Sequence, residues 1–289
     1  MPEGDTIFRS ARTLNRALGG KTVTAFRSTF PWLTRFNDDT PLRGQTVEYV
    51  ESRGKWVLIH FSGGGTLITH MLMNGSWHIY RPGERWQQPA INMRIVIETS
   101  EFHAIGFRVP VAEMHTARSL ARDRRIPRSP NDLLSEAFDT EAAVRRMQSY
   151  PDEEIGNVLL RQHVLAGVGN VFKSEVCFVA ELNPFRKVAT LSEQQIQETI
   201  RIARQQLGAN ILEGSGNMIV TYTGPGRRTT RQADPSASLW VYGRRGEPCR
   251  RCGEPILSRL QGSGARLTYW CPRCQPMSEG ASKEIVTNS

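Results

Sequence analysis

The chain has no run of 18 or more apolar residues, so no segment is expected to span a membrane. It has no basic-then-apolar leader, and a cytoplasmic location is the expectation. No internal repeat is evident. Lysine is scarce. The excess of basic over acidic residues, 37 against 28 for a net charge of +9, is almost entirely arginine. The planar arginine fork suits phosphate better than the lysine point charge. Net charge speaks to partners rather than to fold, and alone it leaves nucleic acid an open question. Cysteine is scarce as well, with five in 289 residues. Four of them form two pairs, "CRRC" (Cys249, Cys252) and "CPRC" (Cys271, Cys274), separated by residues 253–270. That is the spacing of a four-cysteine zinc site. Disulfides are the alternative, disfavoured in a cytosolic chain. Cys177 lies in an apolar helical stretch and reads as core.

The length is enough for two domains, or for one with appendages. Ile7, Ala11, Leu14 and Leu18 recur at helical spacing over residues 4–18, and Gly19-Gly20 ends that helix. From 22 to 110 the texture is short, β-branched and aromatic ("TVEYVE", "WVLIHF", "TLITHML", "MRIVIET"), broken by Gly and Pro clusters. This predicts a β-sandwich or barrel-like layer capped by the first helix. The arginine-rich segment 117–130 reads as a linker. Helical patterns dominate from 131 to 213, including "DEEIGNVLLRQHVL" and "VGNVFKSEVCFVAEL", with a Ser192/Gln195 capping box opening the last helix. The fold class is α+β and multidomain: 1–116, linker 117–130, 131–238 with a loop over 214–238, a zinc module at 239–276 and a disordered tail at 277–289.

Three constellations carry chemistry. "MPEGDT" places Pro2 and Glu3 at a helix start. With Met1 trimmed, Pro2 is a free secondary amine beside a carboxyl, although Pro and Glu are also favoured in any first helical turn. "AGVGNVFKSE" sets Gly167, Gly169 and Asn170 at a tight turn before a helix. Free amides there suit phosphate, and an ordinary helix hairpin with an Asn cap is the bland alternative. "ILSRLQGSGARLTYW" reads as strand, turn, strand with Arg266 near the tip, inside a module of seven arginines and two glutamates over 240–276. It is either a structural ribbon with a solvated basic face or a device for placing arginine in DNA.

Taken together, "PEG", "SRGKWVLIHF", "AGVGNVFKSE" and "VYGRRGEPCRRCG…RLTYWCPRCQ" occur in the order seen in the bacterial formamidopyrimidine-DNA glycosylase / endonuclease VIII family, which the chain resembles from residue 2 to about 276. The resemblance implies an N-terminal helix and β-sandwich, a helix–two-turns–helix domain, a zinc-finger hairpin, and damaged DNA held between the domains by a monomer with one structural zinc. It implies a base-excision-repair glycosylase that excises a base and then cleaves the strand by β,δ-elimination. Pro2 matches the nucleophile and Glu3 the general acid. Lys55 matches a catalytic lysine that contacts the lesion phosphate and helps in β-elimination, Asn170 with Gly169 a phosphate site, and Arg266 the catalytic arginine of δ-elimination. Glu175 matches a buried supporting acid. His70 sits at the place of a DNA-facing histidine, though a core histidine reads almost as well. Met73, with Leu72 and Met71 beside it, matches the wedge that fills the gap left by an extruded base. Arg128 is taken as a further DNA contact.

The chemistry needs these residue types. An α-amine ionises near 7.7–8.0 against about 10.4 for lysine, so far more of it is neutral and nucleophilic at pH 7. The positive end of the first helix lowers it further. Glu3 must donate a proton, which predicts a raised pKa. The Arg-Arg-Phe element of the purine-specific branch is missing, because the region reads "IGFRVPVAEMH" with Arg108 out of context. This favours the endonuclease VIII branch and oxidised pyrimidines. An oxidised-purine enzyme, a non-catalytic damage reader and a zinc-ribbon nucleic-acid binder are the alternatives. Single-stranded or bubble DNA stays open as a substrate.

Overall fold

The amphipathic segment at the N-terminus forms α1, Gly4–Leu18, with Ile7, Ala11, Leu14 and Leu18 all buried. Gly19 ends it and Gly20 turns the chain with φ 73°. A computed structural model describes residues 2–211, 219–222 and 238–277. The chain divides into two compact units, Met1–Arg128 and Ser129–Ser289.

The first unit stacks α1 on two four-stranded antiparallel sheets. Strands β1 (Ala25–Ser28), β6 (Met93–Glu98), β7 (His103–Phe107) and β5 (Ser76–Tyr80) form one, in that order. Strands β2 (Val47–Arg53), β3 (Trp56–Phe61), β4 (Gly65–His70) and β8 (Val111–Thr116) form the other. Strand β3 is buried at every position, so it reads as a continuous apolar run rather than an alternating one. Ile7, Leu14 and Leu18 join Val57, Ile59, Phe61, Leu67, Ile95 and Ile97 in one core. Helix α2, Pro31–Asp39, interrupts the region read as all-β. Pro31 stands at its start, where the missing N–H costs nothing, and Leu33 anchors it in the core.

The arginine-rich stretch read as a linker is largely packed structure. Helix α3, Ala117–Arg122, starts at a capping box of Thr116 and Ser119. Leu120 and Ile126 bury themselves against Trp56, Leu58 and Ile68. Two apolar residues among the arginines are enough to tie the segment to the outer face of β3 and β4.

The second unit holds α4 (Thr140–Gln148), α5 (Ile155–Val158), α6 (Asn170–Val179) and α7 (Glu193–Asn210) around Val144, Met147, Phe172, Val176, Ile196 and Ile200. The capping box at α7 is present: Gln195 N–H donates to Ser192 Oγ at 3.2 Å, and Ser192 N–H to Gln195 Oε1 at 3.0 Å. The stretch "DEEIGNVLLRQHVL" is not one helix. Only the single turn of α5 forms, and it does not extend back through 152–154, because the N–H groups of Ile155 and Gly156 go to Arg186 O and Pro184 O. Residues 159–169 then run as successive turns into α6. Strands β9 (Leu257–Gln261) and β10 (Arg266–Trp270) make the expected hairpin. Within the segment 214–238 only 219–222 and Ser238 are described, and Met1 and the tail from 278 lie outside the described residues. Among the described residues no helix is long and apolar enough to cross a membrane.

Candidate functional site

In the first unit, Pro2 is half-buried and Glu3 is wholly buried immediately before α1. Glu3 occupies the helix-capping position with extended backbone, yet its side chain makes no capping hydrogen bond. Asp5, one turn in, is also wholly buried. Burial raises its pKa, and Arg9 at 3.2 Å offsets part of that rise.

Lys55 lies in the two-residue turn Gly54-Lys55 joining β2 to β3. Gly54 takes φ 58° at the first central position, as a type II′ hairpin requires. Antiparallel pairing puts Trp56, the next residue, opposite His70, and the rings meet edge-on with centroids 4.9 Å apart. Burial, then the Lys55 ammonium, lowers the His70 pKa from its ordinary value to about 4. Leu72 N–H donates to His70 Nδ1 at 3.1 Å, so the neutral ring carries its proton on Nε2. The turn after β4 places Leu72 and Met73 outward, 48% and 61% exposed, while Met71 is buried at 2%. Met71 is therefore core and not part of a wedge: it packs with Ile7, Leu67 and Ile95. Leu72 holds φ 46°, a left-handed conformation that costs a non-glycine residue energy, at one of the most exposed apolar positions of the unit.

In the second unit, Gly169 caps α6 and Asn170 is its first residue, so the Asn-cap alternative does not hold. Gly167 takes φ 105°. The turn is braced by Gln162, whose Oε1 accepts from Gly167 N–H at 3.2 Å and whose amide donates to Val168 O at 3.0 Å. Asn170 Nδ2 donates to Leu267 O at 2.9 Å, which joins the start of α6 to the strand that begins with Arg266. Among the described residues Asn170 Oδ1, though buried, has no hydrogen-bond partner. Arg266 is exposed beside the tip 262–265. Arg128, at the end of the first unit, is also exposed.

Glu175 on α6 is wholly buried. Its Oε2 accepts from Thr221 Oγ1 and from Trp240 N–H at 2.8 Å. Its Oε1 accepts from Val241 N–H at 3.0 Å and Tyr242 N–H at 2.8 Å. One carboxylate thus ties α6 to the backbone that enters the zinc module.

The four sulfurs of Cys249, Cys252, Cys271 and Cys274 lie within 4.8 Å of one another. Tetrahedral zinc at about 2.3 Å from each sulfur requires S···S separations of about 3.8 Å. Cys249–Cys274 is 3.9 Å and Cys252–Cys271 is 3.5 Å. Arg251 N–H and Cys274 N–H point at Cys249 Sγ and Cys271 Sγ, both at 3.4 Å, which supports thiolate charge. Burial, with the neighbouring sulfurs adding to it, pushes the Cys271 thiol up to about 11. Sulfurs this close ionise together only around a cation, and the set fits one structural zinc with no open position. A second possible ligand group, Glu113, His115 and Asp123, is already bridged by Arg125, at 2.6 Å from both carboxylates.

The fold therefore brings Lys55, His70 and the 71–75 turn together in one unit, and Asn170 and the Arg266 hairpin together in the other. Gln162 braces the turn before α6 in a way that the sequence motifs do not reveal.

A helix-capped double sheet, a helix–two-turns–helix and a four-cysteine hairpin define the architecture of a DNA-repair glycosylase. The comparisons agree. The formamidopyrimidine-DNA glycosylase N-terminal domain matches residues 1–110, the H2TH domain of the same proteins matches 130–221, and the zinc finger found in FPG and IleRS matches 246–276. The chain is 37% identical to a probable endonuclease 8 2 of Streptomyces coelicolor, over 95% of this chain and 94% of the relative. It is 36% identical to the DNA-(apurinic or apyrimidinic site) lyase Nei2 of Mycolicibacterium smegmatis, over 96% and 100%. Lactococcus lactis formamidopyrimidine-DNA glycosylase, solved non-covalently bound to DNA containing an AP site, superposes with a TM-score of 0.75 at 21% identity, covering 95% of this chain and 100% of that one. The chain belongs to the formamidopyrimidine-DNA glycosylase / endonuclease VIII family. Membership sets its enzyme class, DNA glycosylase with AP-lyase activity.

Proposed function

We propose that the protein excises oxidised pyrimidines from damaged DNA through a covalent imine at Pro2 and then cleaves the strand. The observation that carries this reading is Glu3. It is a wholly buried carboxyl at the helix start, its side chain does not cap the helix, and it directly follows the N-terminal amine. Pro2 attacks the sugar C1′, and Glu3 delivers the proton that opening the sugar and expelling the base require. The resulting iminium is a permanent positive charge that draws electrons through β-elimination.

Lys55 binds the lesion phosphate. His70, neutral near pH 7, donates from Nε2 to the same backbone. Leu72 and Met73 enter the stack where the damaged nucleotide leaves it. Gly169 and Asn170 hold the strand through the amides at the α6 start and the second amide proton of Asn170. Arg266 acts on the phosphate lost in δ-elimination, and Arg128 adds a backbone contact. Glu175 works structurally.

The missing Arg-Arg-Phe element supports the pyrimidine preference, and the relatives at 36–37% identity are named for endonuclease 8 or AP lyase. A substrate panel tests it. Duplexes carrying an oxidised pyrimidine should be processed with a kcat/KM about tenfold or more above those carrying an oxidised guanine, a difference of about 1.4 kcal/mol. Equal or reversed values would overturn the preference and leave the chemistry standing.

A further inference from the structure

Between α6 and the zinc hairpin runs a polar chain with a wholly buried ammonium at one end and a half-buried carboxylate at the other. Lys173 is wholly buried, and its Nζ donates to Thr268 Oγ1 at 2.5 Å. Thr268 Oγ1 donates to Gln261 Oε1 at 2.8 Å. Gln261 Nε2 donates to Glu154 Oε2 and to Pro184 O, each at 2.8 Å. An ammonium can only donate and a carboxylate can only accept, so the direction of every link is fixed. The threonine proton points to the glutamine at 2.8 Å rather than to Arg266 O at 3.3 Å, and the glutamine amide has one orientation that serves both neighbours. Aligned links of this kind polarise one another.

The chain ends beside the hairpin tip. Gln261 is the cross-strand partner of Arg266. Its amide lies on Gly156, where a Cβ would come within 2.5 Å of Gln261 Oε1. A Cβ on Gly262 would come within 2.4 Å of Asn157 Oδ1. The tip thus packs on α5 at two points where an added Cβ would have to displace the Gln261 or Asn157 side chain. Residues 170, 173 and 174 share one face of α6. All three bond consecutive hairpin residues: Asn170 to Leu267 O, Lys173 to Thr268, and Ser174 Oγ to Tyr269 N–H at 3.3 Å. Two of these three links are single neutral hydrogen bonds. The third carries the only full charge among them.

We propose that Lys173 is a positioning residue: through Thr268 and Gln261 its buried ammonium sets the pose of Arg266 against the phosphate that the second elimination releases. This rests on the role given to Arg266 above. Displacing a catalytic group by about 1 Å is enough to cost on the order of a hundredfold, so a loosened hairpin should lose the δ step while the Pro2 chemistry of the other unit continues.

The test uses the zinc-loaded full chain on DNA with one abasic site. Lys173→Met and Thr268→Val break the chain, and Thr268→Ser restores the hydroxyl. Three quantities are read: zinc per chain, borohydride-trapped adduct, and the ratio of δ- to β-elimination product. The expected result is zinc and trapping within about twofold of wild type, a δ fraction down about tenfold in Lys173→Met and Thr268→Val, and recovery in Thr268→Ser. Lys173→Met combined with Arg266→Ala should be no worse than Arg266→Ala alone, since both act through one group. Additive losses, or a normal δ fraction in both breaking variants while Arg266→Ala loses it, overturn the proposal and spare the reading of Arg266. A normal δ fraction in Arg266→Ala overturns that reading itself. Should Lys173→Met shed zinc, the Thr268→Val and Thr268→Ser pair decides the matter.

Discussion

Glu175 offers the sharpest structural prediction. Its two oxygens accept four hydrogen bonds, three from backbone N–H groups of 240–242 and one from Thr221 Oγ1. Glu175→Gln keeps the shape and turns one acceptor into a donor. If the new NH2 takes the Oε1 side, it faces two backbone donors, Val241 and Tyr242, and neither can reverse. If it takes the Oε2 side, Thr221 can rotate and accept from it, but the Trp240 N–H cannot. The better orientation therefore leaves one buried N–H without an acceptor, at about 1–3 kcal/mol, and weakens the remaining bonds by removing their charge. The expected loss is about 2–4 kcal/mol. For a unit of this size that lowers Tm by roughly 4–16 °C. Glu175→Ala strands three N–H groups and should cost more. Thermal unfolding with zinc release to a chromophoric chelator measures both. A Glu175→Gln protein that melts within about 2 °C of wild type and holds zinc equally long would refute the assignment of this carboxylate as the joint between α6 and the zinc module.

His70 should titrate near 4 by NMR, well below its ordinary 6.5. Its folded value is depressed, so its contribution to stability is complete above pH 6.5 and is lost as pH falls through about 4. Lys55→Met should raise the midpoint partway back, because burial, the larger cause, remains; an unmoved midpoint would show that Lys55 does not act on the ring. Met73→Ala should change stability by no more than about 0.5 kcal/mol, as an exposed side chain does. It should nevertheless cut excision from duplex DNA more than from single strands, and an equal effect on both would remove Met73 from the wedge. Stripping zinc should disorder the cluster of Cys249, Ile256, Cys271 and Phe178. Tryptophan fluorescence and DNA binding should change together, and intact DNA binding without zinc would contradict the placement of Arg266 in the interface.

Much of this was legible in the sequence, for physical reasons. The α1 periodicity, the hairpin between the cysteine pairs and the α7 capping box are local patterns, and local patterns survive folding. Helix α2 was hidden because Pro31 and three aromatics sit inside a stretch that otherwise reads as strand. Its one strong signal, proline at a helix start, needed a second cue. The stretch after residue 152 looked helical because its apolar spacing fits a helix, but Ile155 and Gly156 give their N–H groups to residues some 30 positions away. Met71 and Met73 are indistinguishable as letters, and only the end of β4 decides that one is core and the other exposed. The Lys173–Thr268–Gln261–Glu154 chain joins residues up to 114 positions apart, and no motif spacing contains it.

The central claim is that the Pro2 nitrogen forms the covalent bond to DNA. Borohydride trapping on abasic DNA, followed by mass spectrometry of the cross-linked peptide, tests it most directly. A single adduct on Pro2 is expected, with Met1 absent from the peptide. An adduct on Lys55 or another lysine, or no adduct while the strand is still cut, would contradict it.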